Sequence, residues 1–359
     1  MSEIPAQMTP ARAALDRRAF LTGLMATGLA GCGSAAPPAP RRTVLPLTVP
    51  PEADAYRIPL VDFHTHLQKR VTAEHLIRQM DEGNVARMVL MPLYYGDDHR
   101  GAVNDGEGSD EQALAYARRF PDRFVPFVGM QRGELVNAER WVAPDSVAYQ
   151  LVLEAAEKLR SGQFFGMGEF MLRFYPYTTS QGIVAPSDMN YPADSYLMRL
   201  FADVGAKYHA PLVIHCEAEP AAGAAMVRLI EGHPQATIVW AHNCGRASAA
   251  QIREWMARYD NLYADLGHMA SRTGYGGYWP RHTPWMHLIA DVTGEIEAEM
   301  KALFEAFPDR FFIGTDTAHA RVYEFYAGRT IIWRPFLSQL TPATARKIAF
   351  ENADRLFGA

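Results

Sequence analysis

The stretch Pro59–Gln68, PLVDFHTHLQ, carries an apolar run into Asp62 and then two histidines separated by one threonine. In an extended strand alternate side chains share a face, so Asp62, His64 and His66 are expected to project the same way. Neutral imidazole and carboxylate are ligands suited to zinc and its neighbours. A lone His-x-His is equally compatible with a polar strand end bearing exposed histidines, and the rest of the chain has to decide. Further strand-like runs carry Glu169 (QFFGMGEFM), His215 (APLVIHCEA), His242 (ATIVWAHNC) and Asp316 (RFFIGTDTA) at or near their C-terminal ends. Six metal-capable groups at the same end of five runs imply one site, provided the fold gathers those ends together.

The elements that would gather them are legible as a repeat. From Ile58 onward, apolar strand-like runs alternate with segments whose apolar residues recur at three- and four-residue spacing. The runs are PLVDFHTH, ARMVLMPLYY, RFVPFVGMQ, QFFGMGEFM, APLVIHCEA, ATIVWAHNC, NLYADLGH and RFFIGTDTA. Helices are expected at 72–83, 110–120, 149–162, 195–208, 224–232, 249–259 and 297–307, with a last one in 342–358. Eight such units predict an α/β fold of the (β/α)8 TIM-barrel class as a single catalytic domain. Segments from helix into strand are short. Several that leave strands are long, namely 94–110, 173–195 and 267–295, and the third, rich in glycine and aromatics, reads as a lid. Barrel enzymes build their sites on the strand-to-helix side, so the asymmetry points to the same rim as the histidines.

The motifs DFHTH, VIHCEA, WAHNCG, IGTDTA and ENADRLF resemble those of the amidohydrolase superfamily, in particular its amidohydrolase-related metal-dependent barrels. The resemblance runs from about Ile58 to Gly358 and rests most on the order His-x-His, His, His, Asp. It implies a divalent metal, with zinc the expected ion, held by His64, His66, His215 and Asp316, and with His242 ligating or facing the substrate. Glu169 departs from the commonest one-metal members and resembles the acidic residue that bridges two metals in others. A cation of this kind makes water acidic enough to attack near neutral pH, and Asp316 is placed to take its proton. The expected activity is hydrolysis of a small amide, ester or lactone. Decarboxylation is the alternative within the same family, and an envelope lipoprotein without activity is the alternative outside it. Arg173 is a weaker candidate for a substrate carboxylate, with a solvent-exposed arginine as the alternative. Glu217 and Asp265 are candidates for contact with the metal water, the substrate or the ligands, whereas His268, His282 and His319 carry no spacing signal.

The amino-terminal region has a different character. DRRAFLTGLMATGLAGCGS places paired Arg17 and Arg18 before a weakly hydrophobic stretch and resembles a twin-arginine export signal. Leu29-Ala30-Gly31-Cys32 resembles a lipobox, whose cysteine is acylated. Residues 1–31 are therefore expected to be a signal peptide, 32–56 a Pro/Ala-rich tether, and 57–359 the barrel. The protein is expected to be periplasmic, attached to the membrane only through its lipid. The remaining cysteines, Cys216 and Cys244, read as buried free thiols, with a disulfide as the alternative. A composition of 48% hydrophobic and 21% charged residues with a net charge of −5 is globular and lends no support to nucleic-acid binding. The expected partner is a small-molecule substrate. Cys32→Ala is expected to move the protein from the membrane to the soluble periplasmic fraction on cell fractionation, and unchanged membrane association would refute acylation at this residue.

Overall fold

The chain's apolar runs become a ring of parallel strands. The computed structural model describes residues 38–94, 108–175, 177–178, 184–185, 188–269, 287–291, 293–318 and 320–358. The paired arginines, Cys32, His282, His319 and most of the expected lid lie outside the described residues. The principal strands are β1 (Leu60–Asp62), β2 (Val85–Tyr94), β3 (Phe124–Pro126), β4 (Met167–Phe174), β5 (Leu212–Cys216), β6 (Ile238–Trp240), β7 (Leu262–Asp265) and β8 (Phe311–Phe312). Most of their residues are buried, as expected for parallel strands covered on both faces.

Hydrogen bonding orders the strands as they occur in the chain. β1 pairs with β2 and β2 with β3, all parallel. The short strand Val128–Gly129, one residue beyond β3, pairs with β4. From there the order β4–β5–β6–β7–β8 is parallel throughout. Backbone bonds from Phe63 to Ile313, Asp316 to His64 and His66 to Thr317, each 2.8 Å, join the β8 end to the β1 end. This is the (β/α)8 arrangement. It gathers the carboxyl ends of all eight strands at one rim.

Helices α1 (Ala73–Glu82), α2 (Asp110–Arg119), α3 (Ser146–Arg160), α4 (Tyr196–Lys207), α5 (Pro220–Gly232), α6 (Ala249–Arg258) and α7 (Ala298–Ala306) cover the outside. The last helical region, Pro342–Gly358, passes through a π-helical segment at Lys347–Glu351. Most begin at a side-chain cap that satisfies an otherwise unpaired N–H: Thr72, Ser109, Asp145, Ser195, Ser248 and Thr341 each accept from the residue three further on. Among the described residues no helix is long and apolar enough to cross a membrane. Cys216 and Cys244 are both free and buried.

Two expectations require correction. The expected strand through ATIVWAHNC stops at Trp240, and Ala241–Arg246 turns instead. The segment read as a tether is also not free along its whole length, because from Pro40 it belongs to the same compact unit as the barrel. The Arg42 N–H donates to the Gly162 carbonyl at 2.8 Å, and the two guanidinium groups of Arg41 and Arg42 reach the carbonyls of Phe165, Pro121 and Phe124. Val44 is buried, and the Leu47 N–H donates to Asp354 at 2.6 Å. Composition hid this strap because arginine side chains, rather than an apolar run, hold it down.

Asp354 also pairs with buried Arg87, whose guanidinium reaches the Leu45 carbonyl as well. Removing one partner of a buried ion pair leaves an uncompensated charge, at a cost of about 3–5 kcal/mol. Asp354→Ala is therefore expected to destabilise the protein by that amount in urea denaturation. A change under about 1 kcal/mol would show that the strap and the last helix are not coupled through this residue.

Candidate metal centre

The six sequence-predicted residues meet at the carboxyl rim, and Glu169 on β4 is their centre. Its Oε1 lies 3.5 Å from His64 Nε2, 3.2 Å from His215 Nδ1 and 3.3 Å from His242 Nε2, while Oε2 lies 3.4 Å from His66 Nε2. Glu169 and the four histidines are all buried. Two clusters with metal-ligand geometry result, His64–His66–Glu169 and Glu169–His215–His242, and they share the carboxylate. Asp316 sits to one side, its Oδ1 at 3.3 Å from His66 Nε2 and 3.6 Å from His64 Nε2.

Outer contacts fix which ring nitrogens face inward. His64 Nδ1 lies 3.0 Å from Asp265 Oδ1, His242 Nδ1 lies 2.9 Å from the Gly267 carbonyl oxygen, and His215 Nε2 lies 3.2 Å from Glu217 Oε1. A carbonyl oxygen or carboxylate only accepts, so each of these outer nitrogens carries the proton and each inner nitrogen of a neutral ring presents a lone pair. Inner nitrogens nevertheless approach one another closely: His64 and His66 at 3.1 Å, His215 and His242 at 2.8 Å. Between His215 and His242, both held by outer acceptors, two lone pairs face each other and repel unless a proton or a cation lies between them, whereas His66 Nδ1 has no such partner. Glu169 Oε1, buried among three ring nitrogens, makes no hydrogen bond of acceptable geometry. Lone pairs that converge on shared space rather than on each other fit a divalent cation.

Local structure makes this crowding possible. Gly267 and Gly314 form a cradle for His64: a Cβ on Gly267 would lie 3.0 Å from its Nδ1, and one on Gly314 would lie 2.7 Å from its Cβ. After β6, His242, Asn243, Cys244, Gly245 and Arg246 all have φ between 54° and 64°, a run of left-handed turn. Such backbone costs about 1–2 kcal/mol per non-glycine residue. The turn brings His242 inward at its start and Arg246 against Glu217 at its end. Gly245 has no room for a side chain, because a Cβ there would lie 2.0 Å from the Cys216 carbonyl oxygen.

Electrostatics follow from this packing. Burial acts to raise the Glu169 carboxyl, but His64, His215 and His242 outweigh it and hold it well below the usual range. Asp316 is likewise held low, with His268, His66 and His64 overcoming burial. His64 is the converse case: burial opposes its protonation, yet Asp265 and Glu169 raise it well above an ordinary imidazole. His66 and His215 are raised too, while burial and Arg246 lower His242.

Other candidates are placed as follows. Asp62 does not join the cluster. It accepts from the Thr315 N–H at 3.0 Å, the Thr315 hydroxyl at 2.7 Å, the Tyr326 hydroxyl at 2.7 Å and the His64 N–H at 3.2 Å, and so ties β1 to the β8 end. Arg173 is buried rather than solvent-exposed; it pairs with Glu219 at 2.8 Å and with Asp188, and lies over the Tyr175 ring. His268, which spacing did not single out, has Nδ1 at 3.4 Å from Asp316 Oδ2, and burial pushes its pKa down to about 4. Gln131 was also missed: its amide donates to Glu169 Oε2 at 2.7 Å. Its position at the end of the third strand-like run was the only available signal.

The sequence model of the amidohydrolase family, Amidohydro_2, matches residues 61–359. This chain belongs to the amidohydrolase family. The family is one of enzymes, and the centre lies where its barrel carries chemistry. No curated protein matches the chain. Among solved structures, a Staphylococcus aureus protein provisionally assigned as an amidohydrolase superposes with a TM-score of 0.50 at 13% identity, covering 84% of this chain and 100% of that one. A Polaromonas dihydroxybenzoic acid decarboxylase with bound manganese and the inhibitor 2-nitroresorcinol gives 0.47 at 11%, covering 83% and 96%. Dihydroorotase from Saccharomyces cerevisiae in complex with 5-fluoroorotic acid gives 0.48 at 13%, covering 86% and 85%. At this level of identity, the Staphylococcus aureus likeness speaks to the fold alone.

Protons and a cation compete for the same inner nitrogens, and this sets the pH dependence of stability. In metal-free protein the raised pKa values of His64, His66 and His215 contribute stability that is full below about pH 6.5, the unfolded imidazole value, and is lost as pH rises through the folded values. A cation requires those nitrogens unprotonated, so its stabilisation grows over the same window. The difference in Tm between metal-loaded and chelator-treated protein is therefore expected to widen from about pH 5.5 to about pH 8. A gap that is constant or narrows with pH would contradict the assignment of these nitrogens.

Proposed function

We propose that this amidohydrolase-family protein is a divalent-metal-dependent hydrolase acting on a small amide, ester or lactone, exported and held at the membrane through acylated Cys32. The observation that carries the reading is the convergence of four imidazole nitrogens on a shared, buried Glu169. His64, His66 and Glu169 would hold one ion, and Glu169, His215 and His242 a second, with Asp316 beside the first. Zinc is the ion this donor set suits, being rich in imidazole with carboxylate and without thiolate. Such an ion supplies activation of water and polarisation of a carbonyl group.

The chain's own residues supply positioning and proton transfer. Asp316 is the proton carrier. Its side chain is 19% exposed against 3% for Glu169, so of the two it is the carboxylate that can exchange a proton with substrate or solvent. His268 faces its second oxygen and keeps the carboxylate oriented. The Gly267 carbonyl holds His242 with Nε2 inward, and Asp265 does the same for His64. Decarboxylation, the alternative reaction within the family, would call for cationic side chains free to bind a substrate carboxylate. Arg173 is engaged by Glu219 and Asp188, which favours hydrolysis.

The test joins metal analysis to an activity screen over lactones, amides, esters, phosphoesters and aromatic carboxylic acids. Wild type is expected to bind about two equivalents and Glu169→Ala about one. Asp316→Asn should lower kcat by about 100-fold or more, an effect of the size expected for a lost general acid–base. Full turnover in a metal-free preparation would sink the hydrolase reading, as would activity confined to decarboxylation.

A further inference from the structure

The two halves of the centre are supported by different charges. Behind His64 stands Asp265, which accepts from His64 Nδ1 at 3.0 Å and from the Gly267 N–H at 2.8 Å, while its Oδ2 is buried without a hydrogen-bond partner. Asp316 adds a second carboxylate on the same side. Among the described residues, no lysine or arginine pairs with Asp265 or Asp316. Arg329 lies close enough to act electrostatically on Asp316, but it donates to the Thr315 carbonyl at 2.8 Å rather than to either carboxylate.

Behind His215 stands Glu217, also buried, and its charge is answered. Arg246 Nη1 contacts the same Glu217 Oε1 that lies 3.2 Å from His215 Nε2. Arg246 is itself only 2% exposed, and it arrives there through the left-handed turn after β6. The Ala218 N–H donates to the Gly245 carbonyl at 2.9 Å, and the Trp240 indole N–H donates to the Cys216 carbonyl at 2.7 Å, so the ends of β5 and β6 are latched together. The arrangement fixes a full positive charge beside the His215–His242 half. Fixed charges in a buried region of low effective dielectric act strongly on a divalent ion.

We propose that the centre is electrically unequal by construction: the His64–His66–Glu169 half holds its ion more tightly, and Arg246 weakens the His215–His242 half by cancelling the charge of Glu217. The first half therefore fills first, and the second half holds an ion that exchanges with solution. Glu217 and Arg246 are positioning residues that act on the ion through His215. The inference rests on the metal-centre reading proposed above, and it specifies which ion is labile and why.

The test is a cycle of charges read by equilibrium dialysis against zinc and by the absorbance of the cobalt-substituted protein. The Glu217–Arg246 pair carries no net charge in wild type, +1 in Glu217→Gln, −1 in Arg246→Met and none in the double variant. Glutamine keeps an oxygen to accept from His215, so the first change removes charge and spares the hydrogen bond. For the weaker ion, Glu217→Gln is expected to lower affinity about tenfold, Arg246→Met to raise it about tenfold, and the double variant to lie within about threefold of wild type. The tighter ion should respond to Asp265→Asn, weakening about tenfold, and hardly at all to the other changes.

A merely structural role predicts the opposite order, with both single variants weaker than wild type and the double variant weakest. That order, or two ions of equal affinity in wild type, overturns the proposal. Saturation of wild type at one equivalent refutes the two-ion reading alone. The labile second ion falls with it, and the charge inequality is upheld if Asp265→Asn weakens the single ion and Glu217→Gln does not, and is overturned if the reverse holds. Should Arg246→Met fail to fold, Arg246→Lys keeps the charge and must leave both affinities near wild type, and Glu217→Gln with the double variant completes the comparison.

Discussion

A carboxylate buried without compensation is among the costliest features a fold can carry, and Glu169 is such a group unless positive charge reaches it. Four imidazoles surround it, and three of them are held by outer acceptors in orientations that turn lone pairs toward the same space. Neutral rings alone do not answer the charge. The metal-free cluster draws protons instead: against burial, Asp265 and Glu169 raise His64, Asp316 and Glu169 raise His66, and Glu169 and Glu217 raise His215. The centre is thus built to be positive by one means or another, and the fold around it supports that requirement.

Backbone is bent to the same end. A run of left-handed residues follows β6 where a right-handed helix could have begun, and it carries three non-glycine residues before Gly245. The local cost is offset by what the turn delivers: His242 to the centre and Arg246 to Glu217. Gly267 and Gly314 make the corresponding concession on the other side, giving up side chains so that His64 can seat between β7 and β8. Asp62 completes the frame, collecting four donors beneath His64 that lock the first strand to the last.

Much of this was legible in the chain because each candidate ligand ends, or nearly ends, an apolar run, and a barrel brings such ends together. Helix edges were legible where a polar cap precedes the periodic residues, as at Thr72, Ser109, Ser195 and Ser248. The first turn of α3 was not, because Asp145 lies in a polar stretch with no apolar period, and α5 begins at Pro220, which reads as a loop. The turn after β6 was hidden for a different reason. WAHN contains no glycine, and non-glycine residues rarely adopt positive φ. Gln131 carried only the signal of its place at the end of a run, because a neutral amide is not a typical metal ligand, although its bond to Glu169 helps orient the carboxylate. Pairings such as Glu217 with Arg246 join residues just beyond the ends of neighbouring strands and cannot be read from spacing along one.

The strap from Pro40 to Pro50 crosses the loops that feed strands, with Arg41 and Arg42 gripping the carbonyls of Pro121, Phe124 and Phe165 and with Arg346 holding that of Pro50. These contacts lie at the rim opposite the histidines. Residues 40–50 therefore run along the base of the barrel, like the foot of a cup. The strap therefore leaves the opposite rim untouched, and a molecule approaching the histidines does not have to pass residues 40–50.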